Sequence, residues 1–347
     1  MGAACSAIYA QRLSMSSAAP AGLCWNTGSR RKCQVLVGVS LLLATGTHFA
    51  LSRPPSLLMQ ERRRMLHLPK DYVGKGYDLV DLVAGDEVRL KFMLDSGLTT
   101  SMLLPSKAEE LGLAERSGSG RQAVLDDVLL GSVQIGPLRP MVMDFPQSVI
   151  GASLGHPIDG MLGMEFFDRF AVGLGPELHL YEADCGERVA ALAKMVCLTT
   201  APLPARLLGL YLSVPLSDVR VKGVIDTGAS FTVLNWRAAH VLLGIVKEDK
   251  DKMLQRGGVS SIDSSGNPLL MPLAHAALQL RGAGRKPPGC WAPKPVEVAI
   301  GDVASFKTIF NVDEPLALIG QDILTQRPTL LAARQRLLCF GGNGKKT

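Results

Sequence analysis

Apolar and polar positions alternate in short runs along most of the chain, which predicts brief strands joined by turns. Leu79–Val83 reads as an apolar strand, Gly85-Asp86-Glu87 as a turn, and Val88–Leu94 as an alternating return strand. Leu210–Pro215, Ser217-Asp218 and Val219–Ile225 repeat that hairpin. Each return strand runs into the same kind of triplet, Asp95-Ser96-Gly97 and Asp226-Thr227-Gly228. Short apolar strands are expected next, at Met102–Leu104 and Thr232–Leu234. Helical stretches follow and close on Leu111-Gly112 and Leu243-Gly244, where glycine is the usual helix stop. The aspartates are 131 residues apart and the Leu-Gly pairs 132, so the register holds through the whole unit.

The repeat resumes downstream. Asp159–Phe167 and Ala317–Leu324 each set two bulky apolar residues before a glycine, Gly163 or Gly320. A helix-compatible run of acidic and apolar residues follows, and closing strands are predicted at Leu178–Tyr181 and Leu337–Phe340. The aspartate-to-glycine distance is 68 residues in the first copy and 94 in the second. A Gly/Pro-rich loop over 281–295, without a counterpart in the first copy, takes up the difference. Further strands are expected at Val128–Ile135 and Met141–Phe145, then at Leu269–Leu280, Val296–Ile300 and Phe306–Phe310. The organisation predicted is a targeting or membrane-anchor leader and linker over 1–60, a first lobe over 70–186, a linker over 187–204 and a second lobe over 205–342.

Length permits this arrangement, because 347 residues can bury two cores. The net charge of +6 suggests a nucleic-acid partner, but its distribution argues against one. Residues 1–52 contain Arg12, Arg30, Arg31 and Lys32 and no acid, and the remaining basic residues nearly balance the 31 acidic ones. No electrostatic footprint for nucleic acid is left. Arg62-Arg63-Arg64 reads as a solvated linker.

The leader admits several readings. An acid-free, Ser-rich stretch, then Arg30-Arg31-Lys32, then an apolar run over 35–51, resembles a bipartite plastid address, possibly thylakoid-directed. A single-pass signal anchor, with membrane association through residues 35–51, and a cleaved secretory signal ending near Ala50 are the alternatives. Met1-Gly2 with Cys5 also fits a short myristoylation pattern. Beyond the leader stand Cys185, Cys197, Cys290 and Cys339. They lack zinc spacing and read as free or partly buried thiols, with a Cys185–Cys197 pair left open. No HExxH, Walker loop or GxGxxG-opened helix is present, so no metal, cofactor or nucleotide is expected.

A lone Asp-Thr-Gly is ordinarily a surface turn. Two of them, each ending an apolar strand and each followed by the same later glycine motif, carry more. Two copies packed about a twofold would bring Asp95 and Asp226 face to face. Carboxyls about 3 Å apart cannot both ionise cheaply, so one keeps its proton. Such a pair can activate a water for attack on a peptide carbonyl. Ser96 and Thr227 would supply hydroxyls that hold the opposing turn, and Gly97 and Gly228 would permit close backbone approach.

The two triplets, with DGMLGMEFF and LALIGQDILTQ, resemble the aspartic protease superfamily and most of all its retropepsin-like branch. The resemblance covers about residues 75–182 and 208–341. It implies a mainly β fold of two retropepsin-like (acid-protease) lobes related by a pseudo-twofold axis. It also implies an aspartic-type endopeptidase acting on a peptide or protein substrate, without cofactor, with Asp95 and Asp226 catalytic. Where that branch works as a homodimer, one chain would here supply both halves, so a monomer is expected. A pepsin-type flap tyrosine is missing, since no tyrosine lies between Tyr77 and Tyr181. Flaps are expected instead near residues 117–124 and over 257–268, with a tip at Ser264-Ser265-Gly266-Asn267. Leu98 stands where the family usually has alanine, as at Ala229, and could narrow the site or tilt Asp95. A non-catalytic, peptide- or partner-binding pseudo-protease of the same fold is the alternative.

Overall fold

The computed structural model describes residues 65–67, 77–85, 87–113, 122–144, 157–175, 177–262, 268–284, 289–303 and 314–342, with Phe306 and Phe310. The leader over 1–60, its apolar run over 35–51, residues 117–121 of the expected first flap and the expected tip over 264–267 lie outside these residues. Among the described residues no helix is long and apolar enough to cross a membrane.

The protein is mainly β. After β1 (Met65–His67), the first half contains β2 (Leu79–Ala84), β3 (Val88–Leu94), β4 (Met102–Leu103), β5 (Val128–Leu130), β6 (Val133–Gln134), β7 (Met141–Val142), β8 (Gly160–Leu162), β9 (Phe170–Leu174) and β10 (Glu177–Glu182). Then come β11 (Val196–Thr199) and β12 (Ala201–Pro202). The second half contains β13 (Leu208–Ser213), β14 (Val221–Ile225), β15 (Val233–Leu234), β16 (Gly258–Ile262), β17 (Pro268–Ala276), β18 (Gln279–Arg281), β19 (Cys290–Trp291), β20 (Val296–Ile300), β21 (Leu316–Ile319), β22 (Thr329–Ala332) and β23 (Leu337–Phe340). The helices used below are α1 (Pro105–Glu110), α2 (Met164–Arg169), α3 (Gly186–Leu192), α4 (Trp236–Leu243), α5 (Lys250–Leu254) and α6 (Gln321–Leu324).

The pairing explains why the two triplets end up inside. β2 and β3 form an antiparallel hairpin, and β3 then lies parallel to β8, with Leu94 opposite Leu162. β8 is antiparallel to β4, which runs parallel to β7. In the second half β13 and β14 form the hairpin, and β14 lies parallel to β21, with Ile225 opposite Ile319. β21 is antiparallel to β15, which runs parallel to β20. A strand with neighbours on both sides has its ladder satisfied, so its apolar end can be buried without orphaned backbone groups. Leu94 and Ile225 are accordingly buried. On the exposed face of the first hairpin Asp81 lies directly opposite Lys91, and their side chains form an ion pair at 2.6 Å. The helices stop where expected, with Gly112 and Gly244 in left-handed conformation at φ of +66° and +70°.

A third sheet joins the halves in the order β1-β10-β9-β22-β23-β11. Its central seam is the antiparallel pairing of β9 with β22, where Gly173 lies opposite Leu330. The stretch read as a linker, 187–204, supplies β11 to this sheet, paired with β23. Met65–His67, which falls between the leader and first-lobe ranges expected from sequence, pairs with β10 at its other edge.

Two expectations are corrected here. Cys197 and Cys339 are not free thiols: they sit directly opposite on β11 and β23 and form a disulfide closing 142 residues. Cys197 bonds to Cys339, and Cys185 and Cys290 are in no disulfide, so the Cys185–Cys197 pair does not form. Phe306 and Phe310, expected in a strand, are helical. The Gly/Pro-rich loop is anchored at its C-terminal base, where the Trp291 ring stacks on Phe340 at 3.9 Å between centroids. Within the range expected for the second flap, Gly258–Ile262 forms β16 and pairs antiparallel with β17.

Candidate active site

Asp95 follows β3 and Asp226 follows β14, and both are completely buried. The two turns are built alike. The Asp95 N–H donates to Leu162 O at 2.9 Å, and the Asp226 N–H to Ile319 O at 3.0 Å. Leu98 N–H closes the first turn onto Asp95 O at 3.2 Å, and Ala229 N–H closes the second onto Asp226 O at 3.3 Å. The Gly97 and Gly228 N–H groups each donate to Oδ1 of the aspartate two residues earlier, both at 2.9 Å.

The hydroxyls cross between the turns. The Ser96 N–H donates to Thr227 Oγ1 at 2.9 Å, and the Thr227 N–H to Ser96 Oγ at 3.1 Å. Each hydroxyl then donates onward, Ser96 to Ile225 O at 2.9 Å and Thr227 to Leu94 O at 3.0 Å. Four buried hydrogen bonds therefore lock one turn to the other, and breaking one would leave buried polar groups unpaired. This brings all six residues singled out in the sequence, Asp95, Ser96, Gly97, Asp226, Thr227 and Gly228, to one place. A methyl group on Gly97 would stand 2.5 Å from Asp226 Cγ, and one on Gly228 would stand 2.4 Å from Asp95 Cγ. Each glycine thus faces the opposite carboxyl, at a separation no other residue tolerates.

Electrostatics follow from this packing. Burial pushes the Asp95 carboxyl well above the usual carboxylate range, and the neighbouring Asp226 charge pushes it further. The Gly97 N–H opposes the rise, while a hydrogen bond with the Asp226 side chain adds to it. Burial and the adjacent carboxyl thus both favour the protonated form of Asp95.

Leu98 does not distort the first turn. Its side chain is buried among Tyr77, Leu79, Met93, Met102 and Met161. Its carbonyl accepts from Met164 N–H at 2.8 Å, matching the bond from Gln321 N–H to Ala229 O at 2.8 Å. The added bulk is absorbed by the methionine-lined core, and the backbone around Asp95 keeps the pattern seen around Asp226.

The later glycine motifs explain residues that the sequence reading passed over. Gly163 N–H donates to Ser101 Oγ at 2.9 Å, and Gly320 N–H to Thr232 Oγ1 at 3.1 Å. Ser101 N–H in turn donates to Glu165 Oε1 at 2.6 Å, and Thr232 N–H to Asp322 Oδ1 at 2.9 Å. These acids are the polar members of the helix-compatible runs noted above. The signal was in the repeat: a hydroxyl stands at the same offset after each aspartate, and an acid at the same offset after each glycine. Burial raises the Glu165 carboxyl, and its hydrogen bonds from Ser101 oppose that rise.

Asp78 and Gln321 gave no such signal. Asp78 is buried just before β2, and its Oδ2 accepts from Gln321 Nε2 at 2.8 Å. Burial raises its carboxyl from the ordinary 3.8 to about 6, against the lowering effect of the Gln321 hydrogen bond. The native state therefore holds a proton that the unfolded chain releases between these values, so stability falls as pH rises through that window. The rise corresponds to about 3 kcal/mol lost by pH 7. Asp78→Asn, which cannot ionise, should match the parent at pH 4 and exceed it by about 3 kcal/mol at pH 7. Urea unfolding at the two pH values measures this, and a difference that is the same at both would contradict it.

Among the described residues no group of His, Cys, Asp and Glu is arranged to hold a metal ion. No curated protein matches the chain. Residues 80–166, from β2 into α2, match the model of a family described as aspartyl protease, and that span contains Asp95-Ser96-Gly97 together with Gly163.

Proposed function

We propose that the chain is an aspartic-type endopeptidase whose two lobes arose from one duplicated unit, meet about a pseudo-twofold axis and each contribute one catalytic aspartate. The observation that carries this reading is the reciprocal locking of the two turns, with each glycine against the opposite carboxyl. A pair of surface turns would have no use for four buried cross-bonds. The matched strand pairings in the two halves support the duplication.

The chemistry follows from the charge state. Asp226, ionised, takes a proton from a water as its oxygen attacks the peptide carbonyl carbon. Asp95, neutral, donates its proton to the carbonyl oxygen, so a neutral tetrahedral species forms. As the C–N bond breaks, the proton on Asp226 goes to the leaving amine and Asp95 regains one from the tetrahedral hydroxyl. Burial of both carboxyls makes each transfer stronger than it would be in water. Leu98, the feature that favoured a non-catalytic role, sits in the core, so the catalytic reading is preferred.

The test is incubation of the full chain with a peptide library between pH 3 and 8, followed by mass spectrometry of the products. Internal cleavage by the parent protein, lost in Asp226→Asn, is expected. A folded parent that leaves the library intact at every pH would overturn the reading.

A further inference from the structure

Asp78 and Gln321 lie 243 residues apart, one entering β2 and the other opening α6. Gln321 is completely buried. Its Nε2 donates to Asp78 Oδ2 at 2.8 Å and to Thr227 O at 3.0 Å, and its backbone N–H donates to Ala229 O at 2.8 Å. Gln321 therefore holds the carbonyls on both sides of Gly228, whose own N–H fixes Asp226 Oδ1. At the other end, the Asp78 carbonyl accepts from Leu94 N–H at 2.9 Å, and Leu94 immediately precedes Asp95. A continuous run of hydrogen bonds thus links the shoulder of one aspartate turn to the back of the other.

This bridge exists once. Met164 stands at the Gln321 position of the first half and meets Leu98 O through its backbone alone, since a thioether has no proton to donate. At the Asp78 offset before Asp226 stands Gly209, which has no side chain. The two halves therefore share the turns but not their support. The carboxamide can face only one way, because reversing it would set Gln321 Oε1 against the Thr227 carbonyl.

We propose that Asp78 and Gln321 are a positioning pair for the dyad, clamping the Asp226 turn to the first half of the chain. The kinetic consequence rests on the endopeptidase reading; the clamp itself does not. Burial keeps the Asp78 carboxyl neutral up to about 6, so below that pH the pair is an uncharged contact.

The experiment compares the full-length parent with Gln321→Met, Asp78→Ala and Asp78→Asn at pH 5. Two readouts are taken: peptide hydrolysis, and titration of the Asp95 and Asp226 carboxyl carbons by 13C NMR. Gln321→Met preserves volume and removes both side-chain bonds. It should lower kcat by roughly tenfold to a hundredfold with KM within about twofold, as a misplacement of the reacting groups does. It should also move the titration of the dyad by about half a pH unit or more. Asp78→Ala should behave in the same way, while Asp78→Asn, which still offers an acceptor to Gln321, should restore kcat to within about threefold.

Unchanged kcat and unchanged titration in folded Gln321→Met would overturn the clamp. If Gln321→Met fails to fold, the Asp78 variants decide, and an Asp78→Ala protein with parental kcat and titration overturns it. If the parent hydrolyses nothing yet the titration moves in Gln321→Met, the endopeptidase reading falls and the clamp stands.

Discussion

Gly228→Ala is expected to abolish measurable turnover while leaving the fold recognisable. The added methyl would lie 2.4 Å from both Cγ and Oδ2 of Asp95, and 2.7 Å from Oδ1. That carboxyl has no freedom to retreat, because Gly97 N–H holds its Oδ1 and the residue is fully buried. One turn must move by about 1 Å, and a shift of that size costs about a hundredfold or more in rate when it falls on the reacting groups. The same overpacking should cost about 1–3 kcal/mol of stability. Gly97→Ala should behave alike, with its methyl 2.5 Å from Asp226 Cγ. Gly284→Ala, where a methyl meets nothing within 4 Å, is the control and should change neither quantity. Parental kcat/KM in folded Gly228→Ala would mean that the two carboxyls do not meet across this turn during catalysis.

The two aspartates should act as one unit. In the proposed mechanism, Asp95→Asn removes the proton that the carbonyl oxygen receives, and Asp226→Asn removes the base that takes a proton from water. Either change should reduce kcat by about a thousandfold or more, and the double variant should be little worse than either single one, because the unit is already disabled. Asn keeps the shape and an oxygen for the Gly97 or Gly228 N–H, so folding should survive. Asn does not ionise, so neither variant bears the cost of holding two buried carboxyls on one site as pH rises, and each should unfold at no lower urea concentration than the parent at pH 7. Cleavage that survives in Asp95→Asn would assign the first half a purely structural role.

Much of this was readable in the chain because similar motifs recur along it. The β2–β3 and β13–β14 hairpins, the two triplets and the two later glycines all recur at fixed offsets, so tertiary partners could be inferred from correspondence. Helix ends at Gly112 and Gly244 were readable for a local reason, the left-handed conformation that glycine adopts most cheaply. Features that break the repeat left no trace. The pairing of β11 with β23, and with it the Cys197–Cys339 bond, joins segments 142 residues apart with no local periodicity. Asp78 and Gln321 meet for the same kind of reason, with no copy of either in the other half. Phe306 and Phe310 misled because a short apolar run fits a helix as well as a strand. Leu98 misled in the opposite sense: its size was legible, but not the methionine cluster that receives it.

The most direct measurement of the central claim is the pH dependence of kcat/KM for one cleavable peptide with the full-length parent. The active form has one proton on the pair, so activity should fall where a second proton adds and again where the last one leaves. Burial and the Asp226 charge hold Asp95 protonated beyond the ordinary carboxylate range, which sets the alkaline limb well above 3.8. The account predicts a bell-shaped profile centred below neutrality, with the alkaline limb absent from the residual activity of Asp95→Asn, which keeps only the Asp226 carboxyl to titrate. A profile that rises to a plateau at alkaline pH would contradict it, because it would require a form of the enzyme in which both carboxyls are ionised.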